Sequence, residues 1–226
     1  SLPADTDKWE REWIELGGGS CHFNHTDSSF AKGTAIFLSK SFQHKVMSHN
    51  TDKNGRIQNL SVSAHDHNFQ IINVYGPNSK KEQFYKQLKN YTEAGIDGLL
   101  SGDFNMVEDT SLDRTGANKD SHRNRDGQKN FLKFKNYMNL TDAWRAQHPN
   151  EKDFTYSEPY TQSSIRNDQH VRSRLDRIYI PNNYFQKGKT DTKHIHFANT
   201  DHKLVKTVFF LPKSHPKGPG LWNLPT

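Results

Sequence analysis

IDGLLSGDFN, residues 96 to 105, sets an apolar run from Ile96 to Leu100 against a serine, a glycine, an aspartate, an aromatic and an asparagine. A short apolar run bounded by turn formers reads as a strand. Asp103 and Asn105 then stand at its end, where short polar side chains either bond their own backbone in a turn or face a ligand. Upstream, NSKKEQFYKQLKNYTEAG (78 to 95) brings Phe84, Leu88 and Tyr91 round at helical spacing and closes on Gly95. NFQIINVYG (68 to 76) before it is strand-like. A helix therefore precedes the strand that delivers SGDFN.

Outward from this unit the pattern changes. RIQNLSVSA (56 to 64) is strand-like, and the polar tetrad HDHN (65 to 68) predicts a hairpin into the next strand. GTAIFLSK (33 to 40) is a further strand. Nearer the start, Trp9, Trp13 and Leu16 recur at i, i+4 and i+7 behind an Asp7 cap, a helix that Gly17, Gly18 and Gly19 should end. Phe131, Phe134 and Met138 predict a helix over 125 to 138, and DFTY (153 to 156), RSRLDRIYI (172 to 180), KHIHFANTDH (193 to 202) and KLVKTVFFL (203 to 211) read as strands. Helices alternate with strands early and strands dominate late, so a strictly parallel series is excluded. The fold class is α+β, with two packed mixed β-sheets flanked by helices. Residues 1 to 211 form one domain, and the proline- and glycine-bearing tail from 212 to 226 reads as a linker.

Composition narrows the partners. Only 31% of the 226 residues are hydrophobic, and 14 Phe, 8 Tyr and 4 Trp must carry the core. Lysine and arginine exceed the acids by 31 - 25 = 6, a balance that favours an anionic partner such as nucleic acid. Cys21 is the sole cysteine, which excludes an intrachain disulfide and a multi-cysteine metal site. No segment reaches the roughly 18 apolar residues of a membrane span, and no signal peptide is visible. These features point to a soluble, intracellular protein with no membrane partner.

Three strand ends carry groups able to do chemistry. They are Asp103 with Asn105, Asp176 in SRLDRIYI, and Asp201 with His202 in ANTDHKL. Brought together, they supply a carboxylate to take a proton from water, an amide to orient it, and a carboxylate to hold an imidazole in one tautomer. Each has a plainer reading alone: Asp176 as an ion-pair partner of Arg174 or Arg177, His202 as a surface histidine, Asp201 as a turn cap.

The ordered set NVYGPN (73 to 78), SGDFN (101 to 105), SRLDRIYI (173 to 180) and TDH (200 to 202) resembles the endonuclease/exonuclease/phosphatase superfamily. Within it, SLDRTG (111 to 116), LTDAWRAQHP (140 to 149) and DFTYSEP (153 to 159) are similar to the apurinic-type endonuclease domain of non-LTR, LINE-like retrotransposons. The resemblance implies a DNase I-like four-layer α/β-sandwich. It also implies a metal-dependent DNA endonuclease that nicks one strand to leave a 3′ hydroxyl for priming reverse transcription. Double-stranded DNA would be the partner, Mg2+ or Mn2+ the cofactor and the nucleus the compartment. KGPGLWNLPT (217 to 226) resembles the segment that leads on to a reverse transcriptase.

By the same resemblance Asp103 is the general base or water-polarising carboxylate, and Asn105 positions water or phosphate. Tyr75 donates to a phosphate oxygen, while Asp176 orients His202, which stabilises charge on the phosphoryl group. Asp201 lies near the metal; Thr155, Arg174 and Asn78 bind substrate. One departure stands out. The family opens with a strand carrying an Asn and a second whose Glu is the principal metal ligand, and neither has a counterpart after Ser1. Sheet edges and apolar surface should therefore be left uncovered. Two other readings stay open: a phosphomonoesterase of the same superfamily, and a catalytically impaired DNA-binding remnant.

Overall fold

The structure, a computed structural model, describes residues 6–26, 33–116, 127–158, 170–197 and 200–211. The predicted linker falls outside them, as do residues 159–169. In chain order the elements are α1 (Thr6–Glu15), β1 (Gly18–His25), β2 (Gly33–Ser39), β3 (Lys45–Thr51), β4 (Ile57–Ala64), β5 (His67–Tyr75) and α2 (Lys81–Gln87). They continue with β6 (Asp97–Asp103), β7 (Arg114–Thr115), α3 (Gln128–Tyr137), β8 (Leu140–Asp142) and α4 (Ala143–Gln147). The last are β9 (Tyr156–Ser157), β10 (Arg172–Ser173), β11 (Asp176–Pro181), β12 (Asp191–Ile195) and β13 (Leu204–Val208).

The core layer is a six-stranded sheet ordered β3-β4-β5-β6-β11-β8. Only β5 and β6 pair in parallel there, joined through α2; the β4–β5 hairpin turns at His65 and Asp66, both at positive φ. On one face, Ile72, Val74, Leu100 and Tyr179 pack under Phe84 of α2, Leu88 just past its end, and Phe131 and Phe134 of α3. The other face carries two separate ribbons. β1–β2 covers Leu60, Val62 and Phe69, while β12–β13 covers Ile178 and Ile180, and Leu99 reaches both clusters. Between the ribbons, Ile71, Leu99 and Ile178 are only half-buried. Two mixed β layers flanked by helices are present, and the second is split.

Several elements depart from the predicted ones. β1 starts inside the glycine tract that was to end α1, because Gly18 lies under the Trp13 indole and Gly19 against the β2 backbone, where a Cβ would sit 2.3 and 2.6 Å from its neighbours. β3 is an edge strand with almost every residue exposed, so it carries no apolar alternation to read. The predicted strand 172–180 breaks at Arg174 and Leu175. Its first part joins the small sheet β7-β10-β9 and its second joins the six-stranded sheet. The helix expected to run to Gly95 ends sooner, α2 passing into a 3-10 turn over Leu88–Tyr91.

Candidate active site

Sheet register assembles the centre. Parallel pairing sets Tyr75 beside Asp103, and antiparallel pairing sets Asp176 on the other side of Asp103. Residues in register on adjacent strands project from the same face, about 4.8 Å apart. Tyr75, Asp103 and Asp176 therefore form a row at one end of the sheet, on the face that bears the ribbons. His202 completes it, its Nδ1 lying 2.8 Å from Asp176 Oδ2. Backbone bonds deliver it there: Lys203 N donates to Thr155 O at 2.6 Å and Ser157 N to Asp201 O at 3.1 Å.

Phe104 holds the SGDFN turn from behind. It is fully buried, edge-on to Phe131 and Tyr179 at 5.2 and 5.3 Å, with the Arg177 guanidinium 4.6 Å over its ring. Asp103 and Asn105 are thereby left toward the site. The Asn105 N–H donates to Asp103 Oδ1 at 2.8 Å, and the Asn105 amide donates to Gly76 O at 2.7 Å. Turn and site are thus one structure. The close approach requires glycine: a Cβ on Gly76 would meet Phe104 O at 2.2 Å, and one on Gly102 would meet Val74 O at 1.9 Å.

Electrostatics divide the roles. Burial pushes the Asp103 carboxyl above its ordinary range, and the neighbouring Asp176 charge adds to the shift, while the Asn105 N–H opposes it. His202 is also raised, first by its hydrogen bond to Asp176, with burial acting against it. The site thus favours a more basic carboxylate beside an imidazolium. Asp103, Asp176 and His202 each place one ligand atom within 4.8 Å of the others.

The remaining predicted residues fare differently. Asp201 is exposed and stands outside that cluster, so it is not grouped with the metal-capable atoms. Arg174 is 1% exposed and commits its guanidinium to Asp113 and Asp142 at 2.7 to 3.2 Å, which leaves none of it for substrate. The arginine-partner reading of Asp176 also fails, since Arg177 points into the aromatic core and donates to Met106 O. Thr155 is 1% exposed, and its Oγ1 accepts from the N–H groups of Leu175 and Asp176, both at 2.9 Å. It positions Asp176 from inside the fold. Asn78 is exposed in the loop beyond β5. Arg56 was not anticipated: it donates to the carbonyls of Tyr75 and Gly76 at 3.0 and 3.2 Å and lies 4.9 Å over the Tyr75 ring. Its sequence signal was the cationic residue opening the strand-like stretch RIQNLSVSA.

No protein-family model matches the chain. An AP endonuclease from Archaeoglobus fulgidus superposes with a TM-score of 0.66 at 18% identity, over 89% of this chain and 83% of that one. The chain has the AP endonuclease fold. The endonuclease domain of TRAS1, a telomere-specific non-LTR retrotransposon, shares this fold with a TM-score of 0.57 at 13% identity, over 85% and 81% of the two chains. In sequence, the Transposon TX1 uncharacterized 149 kDa protein of Xenopus laevis is 30% identical over 216 residues, 92% of this chain. The chain spans 15% of that protein's length. The retroelement endonuclease likeness carried by the motifs therefore has counterparts in both fold and sequence.

Proposed function

We propose that this AP endonuclease-fold chain is a retroelement DNA endonuclease that hydrolyses one phosphodiester to leave a 3′ hydroxyl for primer extension. The observation that carries the reading is the row Tyr75, Asp103, Asp176 and His202, with Asn105 bonded to Asp103. Asp103 takes a proton from water, the water oxygen bonds to phosphorus, and the P–O3′ bond breaks as the 3′ oxygen is protonated from solvent. Tyr75 donates to a non-bridging oxygen. His202, whose protonated form Asp176 favours, faces the negative charge that gathers there.

The donor set fits a hard divalent cation. Among the described residues, two carboxylates stand side by side with no arginine or lysine bonded to either, and carboxylate oxygen is what Mg2+ prefers. Asp103 and Asp176 would hold it, and bound there it would supply charge stabilisation at the phosphoryl group. DNA is the favoured substrate because cationic clefts flank the row at both ends. Beyond His202 the lining includes Lys152, Arg172 and His196, with Lys203 bonded to Asp153 and with Asp201 beside them; beyond Tyr75 it includes Arg56 and Lys80. Tracking a strand across both would make binding salt-sensitive. In this reading the tail from 212 leads to a reverse transcriptase, and the work is nuclear.

The test is a nick followed by its chemistry. Supercoiled plasmid is incubated with Mg2+ and either these 226 residues or the same residues in their parent reading frame. The expected product is open-circular DNA that a polymerase extends without prior phosphatase treatment. Release of phosphate from a terminal phosphomonoester with no nicking would replace the reading with the phosphatase one. Binding without either reaction in both forms would replace it with the non-catalytic one.

A further inference from the structure

A carboxylate that the hydrolytic row does not use ties down one end of the β12–β13 ribbon. Asp153 lies just ahead of β9, and its two oxygens accept from three donors. Phe154 N donates to Oδ1 at 2.8 Å, His194 Nδ1 of β12 to Oδ2 at 2.8 Å, and Lys203 Nζ to Oδ1 at 2.5 Å. Lys203 directly follows His202 and immediately precedes β13.

With Asp153 37% and Lys203 20% exposed, such an ion pair ordinarily contributes little, because both side chains give up rotamer freedom to meet. Here the carboxylate is already held before the lysine arrives. The His194 side chain is fully buried, its ring is stacked on the Trp144 indole at 4.8 Å, and its Nε2 has no hydrogen-bond partner among the described residues. A proton on Nε2 would be a buried donor without an acceptor, and burial holds the imidazole pKa down. His194 is therefore a neutral donor, and the Lys203 ammonium carries the charge that meets Asp153.

The backbone that presents His202 depends on this contact. His202 faces Tyr156 in a ladder of two bonds, Lys203 N to Thr155 O and Ser157 N to Asp201 O. In that ladder Asp153 is the diagonal neighbour of Lys203, two positions before its direct partner Thr155. Successive side chains on a strand point to opposite faces, so Lys203 and His202 project in opposite directions. Pinning Lys203 fixes the roll of the strand and with it the direction of the His202 Cα–Cβ bond; the hydrogen bond to Asp176 then sets the ring. Lys203 also lines the cleft beyond His202, but its ammonium is occupied within the protein.

We propose that Asp153 and Lys203 form a positioning clasp of the nuclease site: held against the buried His194, the pair fixes the strand entry from which His202 reaches Asp176. This rests on the nuclease reading, because the placement of His202 affects turnover only if a phosphate is bound beside it. Neither residue acts on the reacting atoms.

The test compares Lys203→Met, which keeps the apolar stem, with Lys203→Arg, the Asp153→Asn/Lys203→Met double variant and Lys203→Met in a His202→Ala background, all in the full chain. Lys203→Met should lower kcat for nicking about 10- to 100-fold. The double variant restores the local charge balance, so its KM should lie within about twofold of the wild type while kcat stays low. In the His202→Ala background the lysine change should cost nothing further, since the clasp acts through that residue. Lys203→Arg should recover most of the rate. A loss carried by KM with kcat unchanged would make Lys203 a phosphate contact and overturn the proposal, as would losses that multiply with His202→Ala. A second readout needs no activity. In Lys203→Met the backbone amides of Ser157 and Lys203 should exchange with solvent about tenfold faster or more, while those of Ile72 and Leu100 in the six-stranded sheet keep their protection. Unmoved ladder amides, or an equal loss of protection in the sheet, also overturn it. If the wild type nicks no DNA, the functional reading fails while the exchange comparison still decides whether the clasp holds the His202 segment.

Discussion

His202 and Asp176 state the residue-scale physics most plainly. Their hydrogen bond raises the imidazole pKa, so the pair stabilises the fold below the ordinary histidine value of 6.5, and that contribution is lost as pH rises through the higher folded value. Asp176→Asn should therefore lower the His202 pKa, read from ring 15N shifts, and reduce stability more at pH 5.5 than at pH 8.5, roughly one unit below and two above the free imidazole range. A His202 titration unchanged by Asp176→Asn would show that the contact does not form. In the metal-free protein the Asp103 carboxyl should titrate above the usual 3.8, in steps shared with Asp176 and His202, as read from side-chain carboxyl 13C shifts; titration at or below 3.8 would contradict the buried carboxylate pair. At this scale much was legible: Asp103, Asn105, Asp176 and His202 sit at strand ends, where polar groups next to apolar runs are conspicuous. The positioning role of Thr155 was not, because its hydroxyl serves backbone N–H groups 20 and 21 residues away.

Among the elements, the break between β10 and β11 governs the outcome. Two residues of irregular backbone move the chain from one sheet to another, and they invert the alternation that would otherwise put Arg174 and Asp176 on the same side. Arg174 is instead sealed between Asp113 and Asp142, over the Trp144 ring at 5.3 Å, while Arg145 reaches Asp113 from α4. Burial pushes the Asp113 carboxyl up, and the Arg174 charge and hydrogen bonds more than reverse it, leaving it below its ordinary range. Its stabilisation is thus present above the ordinary carboxylate pKa and lost as pH falls through the depressed folded value. Asp113→Asn should cost about 3 kcal/mol by denaturant unfolding, the usual result of leaving a buried charge with one partner fewer. A cost within about 0.5 kcal/mol, typical of surface substitutions, would show the network to be idle. A sequence gives no sign of where a strand changes sheets, so the substrate role expected for Arg174 was misplaced. β3 and β1 were missed for related reasons: one exposes nearly every residue, and the other starts on glycines that serve close packing.

For the whole molecule, the layers explain why chemistry sits at one end. The six-stranded sheet is rigidly backed by α2 and α3, and its opposite face ends in the polar row between two cationic clefts. Phosphate contacts are read out by salt. Arg172→Ala in one cleft and Lys80→Ala in the other should each reduce the slope of log affinity against log salt by about 1 for an uncut duplex. Lys86→Ala and Lys133→Ala, between α2 and α3 on the far side of the sheet, should leave it unchanged. Equal slopes in all four variants would remove the clefts from the DNA path. The layer architecture and the helix ahead of β6 were readable because bulky apolar runs and helical periodicity mark them. The split of the second layer into two ribbons was not legible, because a strand's own pattern does not say which sheet it joins.

The central claim is that residues from three adjacent strands and one stitched-on segment form a single hydrolytic centre. It is tested most directly by the initial rate of plasmid nicking in Mg2+ for the wild type, Asp103→Ala and His202→Ala, with folding checked by thermal unfolding. Each variant should lose about 100-fold or more in rate while remaining folded. A folded Asp103→Ala or His202→Ala protein that nicks at the wild-type rate would contradict it.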